Sequence, residues 1–211
     1  MKQSAPSQRS VDLPAKDNAA RARIVAMARR HFMAHGFRGV TMDDLARELG
    51  MSKKTFYAHF ESKRALIEAV LRDKLAEVNA HFERITGSDQ DFSKMIHELL
   101  AGVQLATSEI QPSFVRDLSR ETPEIFQLVE STRREMIRRY FGKIFEQGRR
   151  LGTVRKDIAP ELIIEILVGA TQAVANPTKV QEMNSTPKAV LSAIITLILE
   201  GALTEKGRKQ P

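Results

Sequence analysis

Residues 23–70 read RIVAMARRHFMAHGFRGVTMDDLARELGMSKKTFYAHFESKRALIEAV, and this stretch decides the fold. Its apolar residues recur at helical spacing within short segments, and glycines or helix-capping residues separate one segment from the next. Ile24, Ala28 and Phe32 lie four residues apart and mark a first helix that ends just before Gly36. The stretch therefore predicts a series of short helices.

Two short helices joined by a tight turn follow the first one. Thr41 caps the second helix, Met42 to Leu49, and Asp44 stands at the position that completes a capping box. Gly50 can take the positive φ of a sharp turn, and Ser52 caps the third helix. Two short helices hinged at a glycine form a helix-turn-helix, in which the second helix lies in the DNA major groove.

The third helix has the side chains that binding to nucleic acid requires. Lys53 and Lys54 begin it, where cations oppose the helix dipole, so a phosphate partner explains them better than helix stability does. Lys63, at the start of a long fourth helix from Ser62 to Thr86, adds a further phosphate contact. Donors for phosphates and base edges come from Thr55, Tyr57 and His59, while Phe56 and Phe60 are expected to face the core.

This stretch resembles the DNA-binding domain of the tetracycline-repressor (TetR) family. The resemblance covers about residues 17–77 and rests on Phe32, Gly36-Phe37, Thr41, Leu45-Ala46, Gly50, Ser52, Thr55, residues 56–60 and Ser62-Lys63. It implies a homodimeric transcriptional regulator, usually a repressor, whose partner is a palindromic double-stranded DNA operator. It also implies DNA-facing positions at Thr41, Lys53, Lys54, Thr55, Tyr57, His59 and Lys63.

The positive charge of the chain is confined to its N-terminal part. The 211 residues include 33 Lys and Arg against 26 Asp and Glu, a net charge of +7. Residues 1–64 contain 13 basic and 6 acidic residues, so the rest of the chain is neutral. This distribution favours a polyanion-binding module joined to a part with another task. We predict a disordered basic arm over residues 1–16, a DNA-binding domain over 17–77 and a helical ligand-binding and dimerisation domain over 78–211.

Composition excludes several classes of protein. The chain has no cysteine, which excludes disulfides, thiol catalysis and cysteine-ligated metals. Its longest uncharged stretch, Ile166 to Thr178, has 13 residues, whereas about 18 to 20 are needed to span a bilayer. The N-terminal segment lacks the apolar run of a signal peptide. We therefore expect no membrane helix and a cytoplasmic location.

The neutral remainder is predicted to be helical, which gives an all-α protein of about nine helices. Five helices are expected over residues 92–108, 113–121 and 123–150, from Pro160 to just before Asn176, and from Pro187 to near Leu203. The last two are apolar around almost their whole circumference, so they must be buried on several sides. Two such helices from each of two subunits would form a four-helix dimer interface, as the resemblance also implies. The alternative is that they fill only their own subunit. The predicted interface residues are Leu167, Val174, Ile194 and Ile198.

The resemblance further implies a cavity in the C-terminal domain for a small-molecule effector, whose binding moves the two recognition helices apart. Apolar side chains that could line it are Phe114, Phe126, Met136, Tyr140, Phe141 and Phe145. Aromatic residues at helical spacing are also typical of an ordinary core, so this alternative stays open. Arg116 could face an anionic ligand or be solvated, and the sequence does not identify the effector.

Two charged clusters have simpler interpretations than a functional site. His31 and His35 have a spacing that can bind a metal ion, yet no third ligand lies near them in the sequence, so we expect neither a metal nor a cofactor. Arg133, Arg134, Arg138 and Arg139 form a basic stripe interleaved with Glu130 and Glu135, which indicates a solvated helix face.

Two other classes of protein remain as alternatives to a ligand-responsive regulator. A small-molecule enzyme would need a catalytic constellation, and the sequence shows no phosphate-binding glycine loop and no nucleophile elbow. We therefore predict that the chain is not an enzyme. A helical scaffold would not need Lys53, Tyr57 and His59 together on one short helix.

Overall fold

The computed structural model describes residues 15–87, 91–203 and 205 of the chain. Within these ranges the protein forms ten helices and no strand, apart from a single bridge between Val154 and Leu203. The predicted all-α class is confirmed. The predicted arm over residues 1–16 lies outside the described ranges, except for its last two residues, which begin the first helix.

The first four helices have the order that the capping residues predict. They are α1 (Ala15–His35), α2 (Met42–Glu48), α3 (Lys53–His59) and α4 (Lys63–Gly87). The hydroxyls of Thr41 and Ser52 each accept a hydrogen bond, at 3.1 Å, from the backbone N–H three residues later. Gly50 has φ +65° and ends α2. The caps and this glycine therefore separate α2 and α3 into a helix-turn-helix.

The C-terminal part contains six helices, one more than the sequence predicts. They are α5 (Phe92–Ser108), α6 (Pro112–Glu121), α7 (Pro123–Leu151), α8 (Pro160–Val174), α9 (Pro177–Glu182) and α10 (Pro187–Ala202). The additional helix is α9, where the sequence analysis predicts only a break at Asn176 and Pro177. The side chain of Asn176 accepts a hydrogen bond from the Lys179 N–H at 2.9 Å, and proline suits a first helical position. Asn176 and Pro177 therefore follow the end of α8 and begin α9.

The buried apolar side chains fall into two clusters. The N-terminal core is built from α1 to α4 around Phe32, Phe56 and Ile67, and it also takes in Phe114 and Leu118 from α6. The C-terminal core is built from the second half of α4 with α5, α7, α8 and α10; its most deeply buried members include Leu99, Ile144, Phe145 and Val154. Helix α6 is therefore attached to the DNA-binding domain although it lies well past residue 77 in the sequence.

Helix α4 belongs to both cores. Its first half contributes Leu66, Ile67 and Val70 to the N-terminal core, and its second half contributes Phe82 and Ile85 to the C-terminal core. The predicted domain boundary at residue 77 falls within this continuous helix. A displacement of α4 therefore affects both parts of the protein.

Candidate DNA-binding surface and ligand cavity

Helix α3 is fixed to the N-terminal core by one side and exposed on the other. Phe56 is buried in the core, and Phe60 is buried directly after the helix. Most of the other positions point outward, because α3 has only two turns and one buried residue. The exposed side chains include Lys53, Lys54, Thr55 and Tyr57, four of the seven predicted DNA-facing residues.

Lys53 is exposed but already has a partner. Its Nζ atom lies 2.6 Å from a carboxylate oxygen of Asp43, at the start of α2. The hydrogen bond to Asp43 raises the pKa of Lys53, and the charge of the carboxylate adds to this effect. A phosphate that binds Lys53 must therefore compete with this carboxylate.

Two further predicted contacts lie beside α3. Thr41 is exposed, and its hydroxyl both caps α2 and donates a hydrogen bond to the Asp44 carboxylate at 2.5 Å. Lys63 donates from Nζ to the backbone carbonyl of Arg38 at 3.1 Å, and Nζ lies 5.6 Å from the ring centroid of Phe37. Burial lowers the pKa of Lys63. Lys63 therefore supports the α1–α2 connection in addition to its predicted role.

His59 differs from the other predicted DNA contacts. Its side chain is only 10% exposed, and Nδ1 lies 3.4 Å from a carboxylate oxygen of Asp17 on α1. The sequence analysis gives His59 as a hydrogen-bond donor of α3, and the resemblance implies a DNA-facing position for it. In the folded protein His59 is at the last position of α3 and packs towards α1. Its surroundings indicate a contact between helices rather than an exposed base-reading group.

A charged cluster that no sequence pattern predicts connects the two cores. The guanidinium of Arg29 on α1 donates to Glu109 after α5, at 2.6 Å from Nη2, and to Glu77 on α4 at 2.5 Å. Lys74 on α4 is buried and also donates to Glu109. Burial acts to raise the pKa of Glu109, but the hydrogen bonds from Arg29 and Lys74 outweigh it and the pKa is lowered. Arg29 and Glu109 are 80 positions apart, so no sequence pattern indicated this cluster.

A second connection joins α1 to α6. The carboxylate of Asp117 accepts a hydrogen bond from the Arg38 N–H at 3.1 Å. Gly36 has φ +79°, and a Cβ atom at this position would overlap the Asp117 carboxylate. The glycine therefore serves both the left-handed turn and the close approach of α6.

A cavity of about 220 Å³ lies between the two cores, and we call it the seam cavity. Its walls include Met33, Leu71 and Phe114 of the N-terminal core and Phe82 and Leu99 of the C-terminal core. Five of the six predicted lining residues are among its walls: Phe114, Phe126, Met136, Tyr140 and Phe141. Most of the predicted set therefore borders a real void.

Phe145 is the exception among the predicted lining residues. It is completely buried in the C-terminal core and is not among the residues that line the seam cavity. One turn of α7 separates it from Phe141, and helical spacing does not reveal where a void ends. The core alternative is therefore the correct one for Phe145.

The predicted dimer residues mostly face the interior of their own subunit. Leu167 and Ile194 are buried in the C-terminal core, and Val174 and Ile198 are half-buried against it.

The exposed apolar residues of α8 and α10 are instead Leu162, Ile166 and Leu197, which are 54%, 51% and 70% exposed. An all-apolar helix does not show which face its own subunit covers, so the sequence pattern did not separate these two sets of residues. We call these three side chains, with the exposed Ala173 and Ala193 on the same helices, the α8–α10 patch.

Several other charged side chains pair with groups on neighbouring helices. Arg138 donates to Glu165 at 2.9 Å, and Arg139 pairs with Glu83. His31 lies 2.8 Å from the Glu48 carboxylate, and its ring centroid is 6.3 Å from that of His35. Within the described ranges no group of three or more His, Asp or Glu residues could hold a metal ion, and no helix is long and apolar enough to cross a membrane.

The fold and the exposed α3 together define a helix-turn-helix DNA-binding regulator. Residues 24–70 match the family model described as "Bacterial regulatory proteins, tetR family". This match and the relatives described below support a TetR-family transcriptional regulator. Proteins of this family are not enzymes, so the prediction that the chain is not an enzyme is confirmed.

The similarity to individual proteins extends beyond the DNA-binding domain. The repressor DhaR of Mycobacterium sp. (strain GP1) is 25% identical over 193 residues, which are 87% of this chain and 92% of that protein. The repressor KstR2 of Mycolicibacterium smegmatis is 25% identical over 168 residues, 76% of this chain and 80% of that protein. The crystal structure of a TetR-family regulator from Agrobacterium tumefaciens has a TM-score of 0.67 at 15% identity and covers 89% of this chain and 100% of that one.

Proposed function

We propose that the protein is a homodimeric repressor that binds a palindromic operator through α3 of each subunit and leaves the operator when a small molecule occupies the seam cavity. The exposed face of α3 supports the proposal most directly. Lys53, Lys54, Thr55 and Tyr57 face outward from a helix that Phe56 anchors in the core. Repression is supported by the relatives named as repressors.

On DNA, the exposed residues of α3 divide into two groups. Lys53 and Lys54 neutralise phosphates, while Thr55 and Tyr57 donate hydrogen bonds to base edges or to the backbone. In a dimer the two copies of α3 enter successive major grooves about 34 Å apart. Thr41 and Lys63 contact the backbone on either side, whereas His59 holds α3 against α1.

The α8–α10 patch is the surface we assign to dimerisation. Large exposed apolar side chains gathered on adjacent helices mark an interaction surface. Exposed alanines beside them allow a second pair of helices to approach closely. A twofold axis through this patch would form the four-helix interface that the sequence predicts, with Leu162, Ile166 and Leu197 in place of Leu167 and Ile194.

The position of the seam cavity supports release by a ligand. Met33 lies on α1 of the DNA-binding domain, Leu71 and Lys74 lie on the shared helix α4, and Phe114 lies on α6, which packs against α1. A molecule in the cavity therefore contacts helices that determine where α3 is held. Differential binding to two arrangements of these helices is the physical requirement for allosteric release.

The test of the DNA-binding surface compares two lysines. We expect Lys54→Ala to weaken operator binding by the full-length protein in fluorescence-anisotropy titrations. The slope of log binding constant against log salt concentration should become less steep by about 0.9, the contribution of one phosphate contact. Lys94→Ala is the matched control, because Lys94 is exposed on α5 and outside the DNA-binding domain. Equal effects of the two substitutions would contradict the assignment of α3.

The test of the dimer compares two leucines of similar exposure. Leu197 on α10 is 70% exposed and Leu128 on α7 is 63% exposed. We expect Leu197→Glu to produce monomers in light scattering at micromolar concentration, because a charge in an apolar interface costs several kcal/mol. Leu128→Glu should remain dimeric. A dimer that tolerates Leu197→Glu would place the interface elsewhere.

The test of release uses thermodynamic reciprocity. A ligand found by thermal-shift screening should weaken operator binding, and operator DNA should weaken ligand binding by the same factor, typically about 5- to 150-fold. Val103→Phe, which adds volume at the cavity wall, should remove both effects while operator binding without ligand persists. A ligand that binds the cavity and leaves operator affinity unchanged would contradict the proposal.

A further inference from the structure

We infer that the ligand of the seam cavity is an uncharged apolar molecule with a carbonyl oxygen, and that Arg133 donates a hydrogen bond to this oxygen. The inference rests on the proposed function, because it names the chemical class of the molecule bound in that cavity. The polar groups on the cavity walls differ in whether they already have hydrogen-bond partners.

Most polar side chains of the cavity walls already have partners within the protein. The hydroxyl of Tyr140 donates to the side-chain oxygen of Asn79 at 2.6 Å. The hydroxyls of Thr107 and Thr171 donate to backbone carbonyls of their own helices at 2.8 and 2.9 Å. Lys74 donates to Glu109. These groups therefore have less need of a hydrogen bond from a ligand.

Arg133 on α7 is different because its guanidinium is only partly paired. Its Nη2 atom donates to the Glu130 carboxylate at 2.5 Å. Its Nε atom is buried and has no hydrogen-bond partner in the described part of the chain. A buried N–H without an acceptor is unfavourable, so an acceptor atom supplied by a ligand would bind with a net gain. Arg133 and Glu130 both line the seam cavity.

The surroundings of Arg133 favour an uncharged acceptor. The Glu130 carboxylate balances the guanidinium charge from one side and would repel a second carboxylate placed at Nε. The nearby walls on the same helix, Phe126, Met136 and Ile137, are apolar and would not stabilise a charged ligand. A carbonyl oxygen accepts the hydrogen bond without adding a charge.

The size of the cavity limits the ligand further. Its volume of about 220 Å³ is below the range of about 300 to 1,000 Å³ typical of ligand sites. A compact molecule fits this space better than an elongated polycyclic one. An aromatic ring with a short alkyl chain and one carbonyl group combines the required size, apolar surface and acceptor.

Three probes of matched size separate the contributions of the apolar body, the carbonyl oxygen and the charge. They are the ketone valerophenone, the hydrocarbon pentylbenzene and the carboxylate 5-phenylpentanoate, called phenylpentanoate below. Each is titrated calorimetrically into the full-length protein. We expect valerophenone to bind about fivefold more tightly than pentylbenzene, the gain of one net hydrogen bond. Phenylpentanoate should bind more weakly than both.

Two substitutions assign the preference to Arg133. Arg133→Met keeps the apolar stem, removes the donor and should bind valerophenone and pentylbenzene equally. Arg134→Met is the matched control, because Arg134 is the next residue on α7 and does not line the cavity, and it should keep the fivefold preference. Glu130→Gln should keep the preference for the ketone and strengthen binding of phenylpentanoate, since the repelling carboxylate is gone.

The outcomes distinguish this inference from the proposed function. Equal binding of ketone and hydrocarbon by the wild-type protein, tighter binding of phenylpentanoate, or an unchanged preference in Arg133→Met would overturn the role of Arg133 and leave release by another ligand intact. Binding of the ketone through Arg133 without any loss of operator affinity would overturn release instead. Absence of binding by all three probes would overturn the inference itself, including the assignment of the ligand class.

Discussion

The N-terminal and C-terminal cores differ in how their parts are distributed along the chain. Most of the N-terminal core comes from residues 24–71, with a few additions from α6 and α7. The C-terminal core combines segments from residue 82 to residue 202. The seam cavity lies where the two meet, with walls from both. The N-terminal core is therefore built from one local stretch of chain, the C-terminal core is built from distant segments, and unfilled space lies between them.

This difference suits the two proposed tasks, which are DNA recognition and ligand sensing. A recognition helix has to keep its side chains in fixed positions, and close packing around Phe56 does this. A sensor has to change its arrangement when a ligand binds, and packed elements beside a void have room to move. The two cores share α4, so the proposed release requires a change at the cavity to pass along this continuous helix.

The largest expected effect compares a side chain inside the N-terminal core with one on the cavity wall. Phe32 is completely buried, so Phe32→Ala should lower the free energy of unfolding by about 3–5 kcal/mol. Phe126 is only partly buried and borders the void, so Phe126→Ala should cost about 1–2 kcal/mol. Urea unfolding at one fixed protein concentration measures both. Equal losses would mean that the cavity wall is as well packed as the core.

A smaller effect is expected where α6 meets the DNA-binding domain. Gly36→Ala should lower the free energy of unfolding by about 1–3 kcal/mol, because the new Cβ requires a strained φ and overlaps Asp117. Gly39→Ala is the matched control, since a Cβ there would meet no atom within 4 Å. Thermal unfolding of the two variants measures the difference. If Gly39→Ala were the more damaging change, the α1–α6 contact would not be the constraint on Gly36.

The smallest effect concerns the charged cluster between the cores. Glu109→Gln should cost about 1–2 kcal/mol, because Lys74 is buried and loses its charged partner, while partial solvent exposure of Glu109 reduces the loss. Asp73→Asn should cost less than about 0.5 kcal/mol, since Asp73 is exposed and 3.6 Å from Arg29. Denaturant unfolding separates the two variants.

The same cluster predicts a pH dependence with a definite sign. The pKa of Glu109 is lower in the folded protein than its ordinary value, so its ionised form contributes stability above that ordinary value, about 4.3. The contribution is lost as the pH falls through the folded-state pKa. The difference in stability between wild type and Glu109→Gln should therefore shrink in acid. A difference that stays constant from neutral pH to pH about 3 would contradict this role.

The sequence predicted the N-terminal domain better than the C-terminal one, for physical reasons. Thr41, Gly50 and Ser52 determine helix ends through contacts within a few residues, so local patterns are sufficient. The burial of Leu167 and Ile194 depends on helices far away in the chain. Because α8 and α10 are apolar on all sides, their sequences did not indicate which face of each helix is buried. The contact of His59 with Asp17 was not predictable for a related reason, because the two residues are 42 positions apart.

The contact between Lys53 and Asp43 affects how such a protein would search a chromosome. When Lys53 binds a phosphate it leaves a carboxylate, so one ion pair replaces another and the net electrostatic gain on any DNA sequence is reduced. Weaker attraction to arbitrary sites shortens the time spent at each of them. The competing non-specific sites, about a million or more per genome, would then hold fewer copies of the protein. An acidic residue beside α3 therefore shortens the stay at each arbitrary site, while the preference for one sequence over another is left to the other side chains of α3.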